Sequence, residues 1–472
     1  MSGSYIFAEA ATLAFVLTRE LITVVAFAIV LSSIDDLLVD VAFLLRQARR
    51  WLNRRGSAPP PGAAELVSAD PGWMAILVPA WDEADVIEAM LRDLTARLDY
   101  PRYTVFVGTY ANDPATRAAA ERVADSRIIG ITVPRAGPTS KADCLNTLWR
   151  AVLAYETVVG MRFKAIVLHD AEDVVHRHEL NVFDSLIPGK AMVQLPVVPL
   201  LDERSRWIAG HYADEFAEAH GKDILIREAI GAAVPSAGVA CAIERDMMAR
   251  IAEAGGGLPF DPACQVEDYE LGLRVAALGG RGTFVRIPAA VDDPTVVATR
   301  EHFPTSFEAA KRQKSRWLLG IALHGWDRLG WPGRWPDRLM LMRDRKSIIT
   351  AMLTALAYLS LLAVVMLEGI KTLCPASITL PPLVEPGSPL ERLLLFNFAI
   401  FVWRLTMRAY FTGRTYGWQE ALRSAPRAVT ANFINFAAAM SALRRYIAIT
   451  SGREALWWDK TAHRFPLQVT RC

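Results

Sequence analysis

The run Ile348–Leu367 contains no charged residue. As a helix it is long enough to cross the hydrocarbon core of a bilayer, about 30 Å thick. A chain with such a segment cannot fold as a plain soluble globule, so every other apolar stretch has to be weighed as membrane or core. Tyr5–Leu31 is nearly as apolar, broken by Glu9 and by Arg19–Glu20. No basic segment precedes it and no small-residue cleavage site follows, so a retained span over residues 10–33 is expected rather than a removed signal peptide. Arg19 and Glu20 are costly at that depth and are expected to pair or to face another helix. After the span, Ile34, Leu37, Leu38, Val41, Leu44 and Leu45 recur at helical spacing, with Asp35, Asp36, Asp40 and Gln47 opposite. That pattern suits a helix lying in the membrane interface.

Leu393–Phe411 is apolar apart from Arg404 and Arg408 and is a third candidate span. Ala428–Ile449, with Arg444 and Arg445 late in the run, reads as interfacial or re-entrant. Basic residues cluster after the first span (Arg46, Arg49, Arg50, Arg54, Arg55) and before the second (Arg334, Arg338, Arg343, Arg345, Lys346). The short loop Gly369–Leu390 holds only Lys371. The asymmetry places the intervening body in the cytoplasm and the short loop outside. The expected organisation is a transmembrane and an interfacial helix over 1–50, a linker over 51–72 with Pro59-Pro60-Pro61-Gly62, and a catalytic body over 73–337. A membrane region over 338–449 with two spans and an interfacial segment follows, then a cytoplasmic tail over 450–472.

Composition narrows the body's function. Lysine and arginine number 52 against 50 aspartates and glutamates, without the clustered positive excess of a nucleic-acid binder. The five cysteines include no C-x-x-C pair, so a disulfide framework is not expected. Within the body, Met74–Val78, Thr104–Val107, Ile128–Val133 and Ala165–Leu168 read as strands, with helical segments near 83–97, 114–125 and 140–157. This order predicts an α/β fold with a mostly parallel sheet and helices on both faces.

Open parallel sheets bind ligands beyond the carboxyl ends of their strands. The first strand runs into Val78-Pro79-Ala80-Trp81-Asp82-Glu83, and the fourth into His169-Asp170-Ala171-Glu172-Asp173. Mg²⁺ or Mn²⁺ commonly bridges one or two carboxylates to substrate phosphates, so Asp170, Glu172 and Asp173 are candidate metal ligands. A solvated acidic turn capping a helix would carry the same residues. His176 and His178 flank that turn and read as surface residues. Downstream, Glu267-Asp268 opens a helical stretch, where carboxylates also serve the helix dipole. Gln313-Lys314-Ser315-Arg316-Trp317 lies on a helical stretch just before the membrane, where a salt-bridged interfacial helix would look similar. No phosphate-binding G-x-x-x-x-G-K-[ST] loop is present.

Together these elements resemble family 2 glycosyltransferases of the GT-A fold, above all their membrane-bound cellulose- and chitin-synthase-like branch. That branch carries D-x-D, [TE]-E-D and Q-x-x-R-W in this order, which appear here as Asp170-Ala171-Glu172, Glu267-Asp268 and Gln313…Arg316-Trp317. Val78–Glu83 resembles the V-P-A-Y-N-E donor-site turn, and Ser140-Lys141-Ala142-Asp143-Cys144-Leu145-Asn146 resembles G-K-A-x-A-L-N. The likeness covers residues 73–325. Gly108–Pro114 and Trp458–Pro466 point to the NfrB type, inner-membrane glycosyltransferases known for a role in phage adsorption.

The resemblance implies sugar transfer from a nucleotide-sugar, a UDP-sugar first, to a glycan or lipid-linked acceptor, for exopolysaccharide synthesis at the inner face of a bacterial membrane. An outer-membrane or export partner is part of that expectation. Asp268 would be the general base with Glu267 beside it. Pro79, Ala80, Trp81, Glu83, Lys141, Asp170 and Arg316 would line the donor, and Gln313 and Trp317 the acceptor. The family's aspartate at the end of the second strand is missing from Gly108-Thr109-Tyr110, leaving Thr109 or Asp113 to hold the nucleoside. Single-sugar transfer to a lipid carrier, or a catalytically weak scaffold used in phage entry, are the competing readings.

Overall fold

The computed structural model describes residues 2–53, 61–373, 380–454 and 464–466. The proline-rich start of the linker, part of the short loop Gly369–Leu390 and most of the tail, including most of Trp458–Pro466, fall outside these residues. The chain begins with one helix, α1 (Ser2–Asn53). Then β1 (Met74–Pro79), α2 (Ile87–Arg97), β2 (Tyr103–Tyr110), α3 (Pro114–Glu121), β3 (Ile128–Val133), α4 (Lys141–Val159) and β4 (Ala165–Leu168) alternate. Every residue of β1 and β2 is buried. Ala75 and Leu77 face Leu145, Leu148 and Trp149 of α4. Met74, Ile76 and Val78 face Ile87, Met90 and Leu94 of α2. The two-residue period of a strand therefore feeds two cores, as a sheet covered on both sides requires.

The second half is less regular. It comprises α5 (Glu179–Leu186), β5 (Met192–Gln194), β6 (Val197–Pro199), α6 (Ile208–Glu218), α7 (Ile224–Ala229), β7 (Cys241–Glu244), α8 (Arg245–Ala254), α9 (Glu267–Ala277), β8 (Gly282–Phe284), β9 (Thr299–Glu301) and α10 (Phe307–Leu318). The main sheet has seven strands in the order β3-β2-β1-β4-β7-β5-β8, and β6 pairs with β9 apart from it. β7 runs antiparallel to β4 and β5; the other pairings are parallel. The mostly parallel α/β sheet expected from the sequence is present.

The chain closes with α11 (Gly325–Leu329), α12 (Trp335–Arg345), α13 (Ser347–Leu373), α14 (Pro389–Tyr416) and α15 (Trp418–Thr450). Among the described residues, three helices, α1, α13 and α14, are long and apolar enough to cross a membrane. α1 would measure about 78 Å at 1.5 Å per residue, so it continues far past any bilayer core. Where the sequence suggested a span followed by a separate interfacial helix, the structure has one uninterrupted helix. Its Leu38, Val41 and Leu45 are exposed, whereas Asp35 and Asp40 are buried against the protein. Asp35 and Asp36 pair with Arg343 and Lys346, and Asp36 also with Arg404 of α14. Asp40 pairs with Lys222 at 2.6 Å. Arg19 and Glu20 depart from expectation: both are exposed, because α1 buries the stripe Ala11, Phe15, Thr18, Ile22 and Val25 instead. α15 is an unbroken helix with Pro426 inside it, not a re-entrant turn.

Candidate active site

β1 leads leftward to β2 and β3, whereas β4 lies on its other side, so strand order reverses between β1 and β4. At such a switch point the connections diverge and leave a crevice beyond the carboxyl ends. A cavity of about 640 Å³ opens there. Its walls include Pro79 and Glu83 after β1, Asp170 and Glu172 after β4, Lys141 at the start of α4, Glu267 and Asp268 at the start of α9, and Gln313, Arg316 and Trp317 of α10. The last three are spaced i, i+3, i+4 and so share one helix face.

Lys141 is the first residue of α4, behind Ser140, whose hydroxyl accepts the Asp143 N–H at 3.2 Å. Its ammonium lies 2.5 Å from Asp170 Oδ1 and 3.9 Å from Glu267 Oε1. Burial alone would lower the Lys141 pKa, but the carboxylates of Asp170, Glu267 and Asp268 hold it above its ordinary value. Burial and the neighbouring Asp268 push the Glu267 carboxyl up to about 7. Burial likewise raises Asp268, with Asp170 adding to the rise and Lys141 opposing it. The Asp268 carboxylate accepts the Tyr269 N–H at 2.7 Å. Gly238, at φ 80°, lies so near that a Cβ there would collide with Asp268. That glycine is required both by its left-handed backbone and by the approach.

The acidic turn after β4 divides its carboxylates. Asp170 and Glu172 line the cavity, while Asp173 points inward and does not. Asp173 Oδ2 lies 2.7 Å from His169 Nδ1 and accepts the Asp170 N–H at 3.1 Å. The other His169 nitrogen is 2.7 Å from Glu179 Oε1. Burial would lower the His169 pKa, but Glu179 and Asp173 lift it to about 10. His176, read from the sequence as a surface residue, is buried, which drops its pKa to about 4; His178 is half-buried. Neither lines the cavity.

Among the described residues, no group of three His, Cys, Asp or Glu side chains forms a ready metal cage. Two carboxylates facing a cavity do fit Mg²⁺ or Mn²⁺, which take their remaining ligands from water and substrate phosphates. The proposed nucleoside contacts fit less well. Thr109 is buried within β2 and Asp113 caps α3, its carboxylate accepting the Asp82 and Thr116 N–H groups at 2.6 and 3.2 Å. Neither lines the cavity, nor do Ala80 and Trp81. Trp81 packs edge-on against Tyr110 at 5.0 Å. Residues without a motif complete the walls: Arg135, paired with Asp143 at the rim, and Phe216, Ser236, Gln265 and Phe303. They arrive from loops and helices distant in sequence, so no local spacing marks them.

Residues 71–320 match the family model described as glycosyltransferase-like family 2. The chain belongs to this family. This glycosyltransferase is 35 % identical over 453 residues to bacteriophage adsorption protein B of Escherichia coli K12, covering 92 % of its own length and 60 % of the relative's. The same figures hold for bacteriophage N4 adsorption protein B of Escherichia coli O157:H7. The glycosyltransferase thus spans 60 % of the length of these curated relatives. Among solved structures, a mannosyltransferase from Pyrobaculum calidifontis in complex with GDP-Man and Mn²⁺ aligns at 18 % identity and a TM-score of 0.49. It covers 89 % of this chain and 99 % of that one. The family assignment rests on the match over residues 71–320 and on the curated relatives.

Proposed function

We propose that this glycosyltransferase moves a sugar from a nucleoside-diphosphate sugar to a glycan with inversion, from a cytoplasmic domain anchored by three spans in a bacterial inner membrane. The observation that carries the reading is one cavity holding Asp170, Glu172, Lys141, Glu267, Asp268 and Arg316. Asp170 and Glu172 would hold a divalent cation, which when bound supplies a Lewis acid for the departing diphosphate. Arg316 suits the same diphosphate, because its planar fork pairs two phosphate oxygens at once. Lys141 neutralises Asp170 and remains within reach of the diphosphate once the carboxylate is otherwise engaged. Asp268 takes the proton from the acceptor hydroxyl, a role worth about 10²–10⁴-fold. Burial raises the basicity of Glu267 and Asp268 above that of ordinary carboxylates, with Asp268 adding to the rise of Glu267 and Asp170 to that of Asp268, which suits proton abstraction.

Trp317 stands edge-on to Tyr212 with Phe216 close by, and Phe303 stacks on Tyr212. This aromatic wall supports an acceptor sugar ring on the side opposite the carboxylates. The elements carrying it pack against the membrane-proximal helices: Lys314 bonds Glu215 of α6 and Asn435 of α15 at 2.5 and 2.8 Å. That contact favours an acceptor reaching the cavity from the membrane side, whether a growing exopolysaccharide or a lipid-linked sugar. The names of the curated relatives support a second role, as a membrane component of phage entry. Nucleotide release from a panel of UDP- and GDP-sugars, with detergent-solubilised protein and Mn²⁺, tests the enzymatic reading. Release that stops in excess EDTA is expected; full turnover in EDTA sinks the metal assignment.

A further inference from the structure

The structure gives His169 no place in the chemistry, yet its ring is fully buried directly behind the acidic turn, between two buried carboxylates. Each ring nitrogen sits 2.7 Å from a carboxylate oxygen, Nδ1 from Asp173 and Nε2 from Glu179. Thr299 of β9 extends the chain by donating its hydroxyl to the other Glu179 oxygen at 3.2 Å. At the opposite end, the Asp173 oxygen bonded to His169 also accepts the Asp170 N–H. The main chain of the turn is therefore tied through Asp173 to the buried His169 ring, while Asp170 and Glu172 are left facing the cavity.

We propose that His169 is a positioning residue. Through Asp173 it fixes the turn that presents Asp170 and Glu172 to a divalent cation. The inference rests on the metal reading above and adds an outer layer to it. Partners behind metal ligands orient those ligands, and losing one costs about 10–100-fold in metal affinity.

The two ring nitrogens make the idea separable from a plain structural role. In His169→Asn the amide nitrogen takes the place of Nδ1 and keeps the bond to Asp173. In His169→Gln it takes the place of Nε2 and keeps only the bond to Glu179. Both lose the ring and one of its two bonds, so a role confined to stability penalises them alike. The measurement is Mn²⁺ binding to the full-length protein by electron paramagnetic resonance, without acceptor, alongside thermal unfolding. H169Q is expected to bind Mn²⁺ about 10–100-fold more weakly than wild type, with H169N clearly tighter than H169Q at similar melting temperature. Equal affinity in the two variants overturns the proposal while leaving the metal site standing. Absence of Mn²⁺ binding by wild type overturns the metal reading and the proposal with it. If neither variant folds, Asp173→Asn carries the test, and an unchanged Mn²⁺ affinity there overturns the proposal.

Discussion

Two clusters of charge in this molecule are built from the same residue types and balanced differently. At one end of the candidate spans, Asp35 and Asp36 of α1 are met by Arg343, Lys346 and Arg404 at 2.7–3.2 Å, with Asp223 closing the group on Arg343 at 3.7 Å. Each carboxylate there has a cation, and the cluster joins α1, α12 and α14 to the body. In the cavity, Arg135, Lys141 and Arg316 share walls with seven carboxylates, Glu83, Asp143, Asp170, Glu172, Glu267, Asp268 and Glu301. Burial and the neighbouring Asp268 raise Glu267, and the negative surplus suits a site that receives a cation with its substrate. An even balance of charge marks the structural cluster; a surplus of carboxylates marks the chemical one.

The comparison breaks most visibly if the surplus carboxylates prove dispensable. Asp170→Ala is expected to cut kcat by at least about 10²–10³-fold, with an unchanged melting temperature, as read by donor turnover beside thermal unfolding. The paired cluster should behave the other way. Asp36→Asn leaves Arg404 without its carboxylate and is expected to cost about 3 kcal/mol of stability, seen in detergent unfolding, while the folded fraction keeps its kcat. Arg316→Lys retains charge but loses the fork, an expected loss of about 1.5 kcal/mol, or a little over ten-fold in kcat/KM.

The smallest effect is on pH dependence. Glu267 is held up to about 7 against an ordinary 4.5, so the folded protein keeps a proton that the unfolded chain has lost. Stability from this group is therefore greatest below about 4.5 and falls as pH rises through about 7. Activity runs oppositely, because a protonated Asp268 cannot act as base: burial raises its carboxyl, so the acid limb of kcat/KM is expected above the ordinary 3.8, and a limb at or below 3.8 would contradict the assignment.

How much of this was legible in the sequence follows from whether the signal is local. β1 to β4 and the helices between them show in the apolar runs because β1, β2 and β4 are buried on both faces, the edge strand β3 is still apolar in sequence, and each helix carries one apolar stripe. The motifs at 170–172, 267–268 and 313–317 converge because each sits at a strand or helix end, where the fold turns side chains toward the crevice. β5, β8 and β9, three residues each, are too short to show a period and exist through pairing with distant chain. Asp173 could not be told from Asp170 and Glu172, because its inward turn depends on His169 and Glu179. Likewise the acidic face of α1 looked solvent-facing, since its partners lie some three hundred residues further on, at Arg343, Lys346 and Arg404.

The assignment of Asp268 as base is tested most directly by comparing donor binding with turnover in Asp268→Asn. The carboxamide keeps the pocket's shape and removes the proton acceptor. Calorimetric donor affinity should stay near that of wild type while kcat falls by about 10²–10⁴-fold. A near-normal kcat in that variant would contradict the account and move the role to Glu267.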